Sequence, residues 1–300
     1  MNVYLGTAAA TAAFIIWGFL PVYWKHLETV PAYEILCHRM VWALVVTAIL
    51  VFATGRARHL RKALTNRKEL LLITTTAILL AVNWLIYIWA VNTGFIVETS
   101  LGYFINPLLN VLLGMIFFKE RMRLLQWAAL AFAVAGVLYL TFYYGKFPWI
   151  ALVLATSFAI YGLLHKKTSL GALDGLCLET SVFFVPAAAI LVGLHFTGEG
   201  AFLRTGWQES LLLVGAGVVT TVTLLLFGFA AHRIRLSTIG ILQYLAPSIN
   251  LLLGVYVYQE EFPIHRMIGF CLIWVALALY LLESVIERSH VKKCVLSESA

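Results

Sequence analysis

Few side chains in this sequence can do chemistry, and the densest group lies in one short string, Pro31-Ala-Tyr-Glu34-Ile-Leu-Cys-His38-Arg39. Glu34 and His38 are four residues apart, which puts a carboxyl and an imidazole on one face of a helix. Arg39 stands eight residues beyond Pro31, roughly 12 Å along a helix that rises 1.5 Å per residue. Its head cannot easily reach back outward. A guanidinium at that depth binds an anion such as a carboxylate, or gates a path by pairing with Glu34 or Glu179, or holds helices together as a fixed pair. Glu34, His38 and Glu179 form the candidate gate or coupling set, with proton coupling as one reading of it.

Two further strings carry a proline amid polar groups: Ser100-Leu-Gly-Tyr103-Phe-Ile-Asn106-Pro107-Leu-Leu-Asn110 and Gly240-Ile-Leu-Gln243-Tyr244-Leu-Ala-Pro247-Ser-Ile-Asn250. A proline removes the hydrogen bond to the carbonyl four residues back. Pro107 and Pro247 are thus expected to kink their helices and to free the oxygens of Tyr103 and Gln243. Tyr103, Asn106, Gln243 and Tyr244, with Asn83 and Tyr87 at four-residue spacing, are candidates to hydrogen-bond a substrate, and Trp17 is a candidate to stack on one. The asparagines could equally serve as interhelical glue, worth about 0.6 kcal/mol each on average.

The elements that must position these groups follow from composition. Of the 300 residues 62% are hydrophobic and 12% charged, against about 25% charged in soluble domains. Cutting at charge clusters and Gly/Pro breaks leaves ten apolar segments, at roughly 5–24, 32–53, 70–91, 97–118, 124–143, 148–165, 176–196, 210–231, 238–258 and 267–284, each near the ~20 residues that span a bilayer. Continuous apolarity without alternation predicts helices rather than barrel strands. The expectation is an all-α integral membrane protein with ten transmembrane helices. Cys37, Cys177 and Cys271 lie in apolar runs and read as packing residues. Trp24, Trp149 and Trp207 fall near span ends, where an aromatic belt is expected.

The net charge of +7 would raise nucleic-acid binding in a soluble protein, but here its distribution carries the information. Sixteen of the 21 Lys and Arg residues fall in alternate loops and the tail, among them Arg56, Arg58, Arg61, Lys62, Arg67 and Lys68. Only Lys25, Lys146, Arg204 and Arg266 occupy the other side. Basic loops stay in the cytoplasm, so both termini are expected there.

The chain also repeats itself. A shift of 140 aligns Pro107 with Pro247, Asn110 with Asn250, Gly114 with Gly254 and Glu120 with Glu260, while a shift of 145 pairs Glu34 with Glu179. Five spans per repeat place the second copy upside down, the inverted plan of secondary carriers, whose substrate site lies near the midplane between the halves. The expected units are 1–146 and 147–286, each a five-helix repeat, and a cytoplasmic tail at 287–300.

At these motifs the sequence resembles the RarD-type, chloramphenicol-sensitive permeases of the EamA family in the drug/metabolite transporter superfamily. The match rests on Trp17-Gly18, Glu34-Ile-Leu-Cys-His38-Arg39, Asn83-Trp84, Tyr103-Phe-Ile-Asn106-Pro107, Lys166-Lys167, Glu179-Thr180 and Gln243-Tyr244, and covers roughly residues 4–284. Thr223 departs from a frequent proline, and Lys119 and Gln259 depart from a glycine before Glu120 and Glu260. The resemblance implies two inverted EamA-like halves and alternating-access passage of a small organic metabolite or drug across the bacterial inner membrane. The expected partners are that small-molecule substrate and the lipid bilayer, with no nucleic acid, no cofactor and no metal, in a monomer or homodimer. No nucleotide-binding or hydrolase motif appears and the eight His are scattered, so an enzyme is not expected. The alternative reading is a membrane-embedded binding subunit or enzyme without transport activity.

Overall fold

The computed structural model describes residues 2–257 apart from 28, 93, 94 and 146, together with 264–265, 267–269, 271–280 and 282–283. Every regular element among these residues is helical: α1 (Asn2–Lys25), α2 (Ala32–Ala53), α3 (Ala57–Leu64), α4 (Arg67–Asn92), α5 (Ile96–Phe118), α6 (Leu124–Tyr144), α7 (Trp149–Lys167), α8 (Ala172–Thr197), α9 (Trp207–Ala231), α10 (Leu236–Leu242) and α11 (Leu245–Leu252). Eight of them, all but α3, α10 and α11, are long and apolar enough to cross a membrane, and a shorter apolar helix covers Met267–Tyr280. Pro31 and Pro148 immediately precede α2 and α7, where a missing N–H costs nothing. The basic stretch after α2, expected as loop, coils into α3.

The ninth apolar segment is the one that departs from expectation. Instead of a continuous helix over 238–258 it is α10, a turn at Gln243 and Tyr244, α11, and a π-helical stretch over Leu253–Val257. Pro247 has no N–H to offer the Gln243 carbonyl and its ring crowds that oxygen. The carbonyl is not left free, because the Ala246 N–H closes a tighter turn onto it at 3.3 Å. Around Pro107, by contrast, α5 runs unbroken.

Packing interleaves the two halves of the chain. α2 lies against α8 and α9, α1 against α9 and α11, α4 against α7, and α5 against α7 and α10. Glycines permit the closest approaches. A Cβ on Gly217 of α9 would stand 2.7 Å from the Ala43 backbone nitrogen of α2, and one on Gly240 of α10 would stand 2.6 Å from the Pro107 carbonyl of α5. Both contacts are with backbone, which cannot step aside as a flexible side chain would. One core cluster joins Phe14, Tyr161, Phe227, Leu236 and Ile239. A second joins Phe104, Val111, Ala129, Ala133, Ile241 and Tyr244. Lys119 closes α5 in the left-handed region at φ 52°, the conformation that favours glycine, so the departure at this position is accommodated without losing the helix stop.

Candidate functional site

The site is built around Arg39. α2 carries the guanidinium between two indoles, 5.2 Å from the ring centre of Trp24 and 4.4 Å from that of Trp84. Its Nε donates to Thr220 Oγ1 of α9 at 3.0 Å. Neither proposed carboxylate partner is there, and among the described residues no Asp or Glu pairs with it. Cation–π contacts contribute about 0.5–2 kcal/mol each, while taking a charge out of water costs several kcal/mol. The indoles and one hydroxyl therefore offset only part of that cost, and an arriving anion would supply the rest.

Two phenols complete the group. Tyr87 of α4 and Tyr103 of α5 meet edge to face with ring centres 5.9 Å apart and lie within electrostatic reach of Arg39. Tyr103 is 41% exposed, although it sits well inside an apolar span and beside an arginine. Arg39, Tyr87 and Tyr103 thus converge, and Trp24, Trp84 and Thr220 join them. Trp24 is placed by its nearness to a helix end in the aromatic belt, yet the fold turns it onto Arg39. Thr220, a lone hydroxyl in an apolar run, gives no sequence signal.

Glu34 and His38 sit apart from this group, at one end of the bundle. Glu34 is buried, and its Oε1 accepts the backbone N–H groups of Ala201 and Phe202 at 2.8 and 3.2 Å. The carboxylate thereby holds down the loop between α8 and α9. The Phe202 ring lies 4.8 Å from the His38 imidazole, and His38 Nε2 is 3.9 Å from Glu34. Glu34 Oε2 and His38 Nε2 are both buried without a hydrogen-bond partner.

At the opposite end the loop after α2 is tied to the start of α8. Arg56 donates twice to Asp174, through Nη2 at 2.6 Å and Nε at 3.0 Å. Glu69 accepts from the hydroxyls of Thr168 and Ser169, each at 2.6 Å. Glu34 is the third residue of α2 and Asp174 the third of α8. A shift of 140 also aligns Ala32, Leu36 and Cys37 with Ala172, Leu176 and Cys177. At that shift Glu34 aligns with Asp174 and Arg39 with Glu179, whereas a shift of 145 aligns Glu34 with Glu179.

The remaining candidates are engaged elsewhere. Glu179 is buried beside the Tyr161 hydroxyl at 3.4 Å and His165 Nε2 at 3.7 Å. Asn83 donates to the Leu154 carbonyl and to Ser157 Oγ, both at 2.8 Å, which fastens α4 to α7. Asn106 donates to the Ala155 carbonyl at 2.7 Å, and Asn110 bridges Asn106 and Gln243. The Tyr244 hydroxyl reaches the Phe104 carbonyl at 3.2 Å. Trp17 packs among Phe14, Phe158 and Phe227. Glu260, the repeat partner of Glu120, lies outside the described residues.

The sequence pattern of the EamA-like transporter family matches residues 4–142 and, separately, residues 147–282. The chain belongs to that family. Similarity to individual members runs nearly end to end: it is 46% identical over 281 residues to an uncharacterized transporter of Vibrio cholerae, covering 93% of each chain. It is 44% identical to Protein RarD of Salmonella typhimurium, covering 93% of this chain and 95% of that one. A solved crystal structure at 20% identity superposes with a TM-score of 0.69 over 92% of this chain and 97% of the other, which shows the fold. This EamA family member is a RarD-type permease, a multi-pass membrane transporter.

Proposed function

We propose that this permease is a secondary carrier that moves a small organic solute bearing an anionic group by alternating access, with Arg39, Tyr87 and Tyr103 as its binding residues. The observation that carries the reading is the guanidinium of Arg39, deep among apolar spans, set against Trp24 and Trp84 and without a carboxylate partner among the described residues. Polar groups inside a membrane mark pathways by default. Tyr87 and Tyr103 supply hydroxyls beside the cation, and Trp24 and Trp84 supply flat apolar walls.

The two-sided tethering supports alternation. Glu34 holds one end shut through Ala201 and Phe202, while Arg56 and Asp174 hold the other, and the repeat register relates the two carboxylates. In this reading the chain has ten spans in two inverted units at 1–146 and 147–286, supported by the double family match and by the reciprocal packing of α1 on α9 and α4 on α7. The ninth span is the broken α10–α11 segment. The basic loops favour an inner-membrane protein with both termini in the cytoplasm.

The test is a thermal-shift screen of the purified protein against mono- and dicarboxylates and their neutral amides, because a ligand stabilises the state that binds it. Carboxylates should raise the melting temperature of the wild type and not of Arg39→Ala, and the selected compound should then show flux into proteoliposomes. Equal stabilisation of the wild type and Arg39→Ala would make the arginine structural. Binding without flux would make the chain a binding subunit.

A further inference from the structure

A second basic site lies away from Arg39. Where α8 begins and α9 ends, a cavity of about 510 Å³ is lined by the polar side chains of Arg56, Ser169, His232 and Arg233 and by the apolar ones of Leu225 and Phe229. Leu225, Phe229 and Arg233 recur every four residues along α9 and just past its end, so the apolar wall leads up to the basic rim. Because Ala172 opens one spanning helix and Ala231 closes another, the rim stands at the level where a bilayer's headgroups meet its acyl chains.

The rim carries unspent positive charge. Arg233 donates to the Phe229 carbonyl at 3.1 Å and rests on the Phe229 ring, and it has no acidic partner among the described residues. Arg56 is bound to Asp174 yet remains 41% exposed. His232 Nε2 is buried with no hydrogen-bond partner. Burial first, and then the positive charges of Arg233 and Lys166, lower the affinity of His232 for a proton. An anion is what such a field lacks. Leu225 and Phe229 run down the same cavity and offer a hydrocarbon chain a wall continuous with the headgroup end.

We infer that this cavity is a binding site for an anionic phospholipid, its phosphate held by Arg233, Arg56 and His232 and an acyl chain lying along Leu225 and Phe229. Basic pockets between spanning helices recognise such headgroups. The site also adjoins a tether, since a phosphate on Arg56 competes with Asp174 for the same donors. Lipid occupancy would thus loosen the connection between the α2–α4 loop and α8. The inference needs no transported solute, so its failure leaves the Arg39 reading untouched.

Native mass spectrometry of the full chain, with short-chain phosphatidylglycerol or phosphatidylcholine added, tests it. A basic side chain near a membrane surface contributes about 1 kcal/mol to holding an anionic lipid, so Arg233→Gln should retain phosphatidylglycerol about fivefold less than wild type. Arg233→Lys should retain it nearly as well, and the loss should not appear with phosphatidylcholine. Arg204→Gln, which removes a basic residue bonded to the His195 carbonyl, serves as the control. Equal retention by Arg233→Gln and Arg204→Gln would overturn the site. Displacement of the lipid by millimolar inorganic phosphate would overturn the lipid assignment in favour of a free anion. Unchanged melting of Arg233→Gln in phosphatidylcholine shows that a lost signal is not misfolding.

Discussion

At the scale of single residues, the geometry separates side chains that tie helices together from side chains left with capacity to spare. Asn83 and Asn106 donate to a neighbouring helix and Gln243 accepts from one, whereas Arg39 keeps most of its fork unfilled. Arg39→Lys should therefore preserve charge but lose the planar fork and the stacking between indoles, raising the dissociation constant of a carboxylate ligand by about tenfold. Isothermal titration in detergent would measure it. Glu34→Gln keeps an acceptor for Ala201 and Phe202 but gives up the charge that makes such hydrogen bonds roughly twice as strong. Amide exchange over residues 199–205 should quicken in that variant, and unchanged exchange would show that the loop is held by Phe202 packing alone. Arg39 was legible from its depth in an apolar run. Trp24 and Thr220 were not, because their roles depend on a helix crossing that spacing along the chain does not encode.

At the scale of elements, eight of the expected spans follow directly from uninterrupted apolarity, since a helix is the way a single segment satisfies its own backbone in lipid. The broken ninth segment was not legible as a break. Both Pro107 and Pro247 predict a kink by the same rule, and which helix gives way depends on its neighbours. A tether at the start of this segment has a measurable consequence. Glu120 accepts the N–H groups of Leu236 and Ser237 at 2.8 and 3.1 Å and the Ser237 hydroxyl at 2.6 Å, with Lys166 at 3.4 Å, and so caps α10 from the end of α5. Burial opposes its ionisation, but these bonds and Lys166 outweigh it and hold the carboxyl below its usual range. A depressed folded value means the stabilisation is complete above the unfolded value near 4.3 and is lost as pH falls through the folded one. Melting temperatures below about pH 4.3 should fall less steeply for Glu120→Gln than for the wild type. Packing gives a second expectation. Gly217→Val should force α2 and α9 apart at Ala43 and cost about 1–3 kcal/mol, read as a lower melting temperature.

At the scale of the whole molecule, two ends are tethered by unlike means, a carboxylate on backbone amides at Glu34 and an ion pair at Arg56 and Asp174. The sequence repeat was visible through its prolines, but matching identical letters paired Glu34 with Glu179. The third-residue position of Glu34 in α2 and of Asp174 in α8 supports a shift of 140 for that helix pair. Because Asp174 is buried and Arg56 only partly so, Arg56→Ala should cost about 1–2 kcal/mol by stranding the carboxylate. Arg56→Ala combined with Asp174→Ala should be no worse than Arg56→Ala alone, which a double-mutant cycle of melting temperatures checks. The lone cation at Arg39 has an electrical consequence as well. Moving a unit charge across the full membrane field is worth about 2.3 kcal/mol per 100 mV. In the carrier reading an empty site presents a net positive charge to that field, and a site filled by a monoanion presents none. Membrane voltage would then act on the unloaded return step and leave the loaded passage largely indifferent, so a potassium diffusion potential should alter net flux while leaving one-for-one exchange almost unchanged.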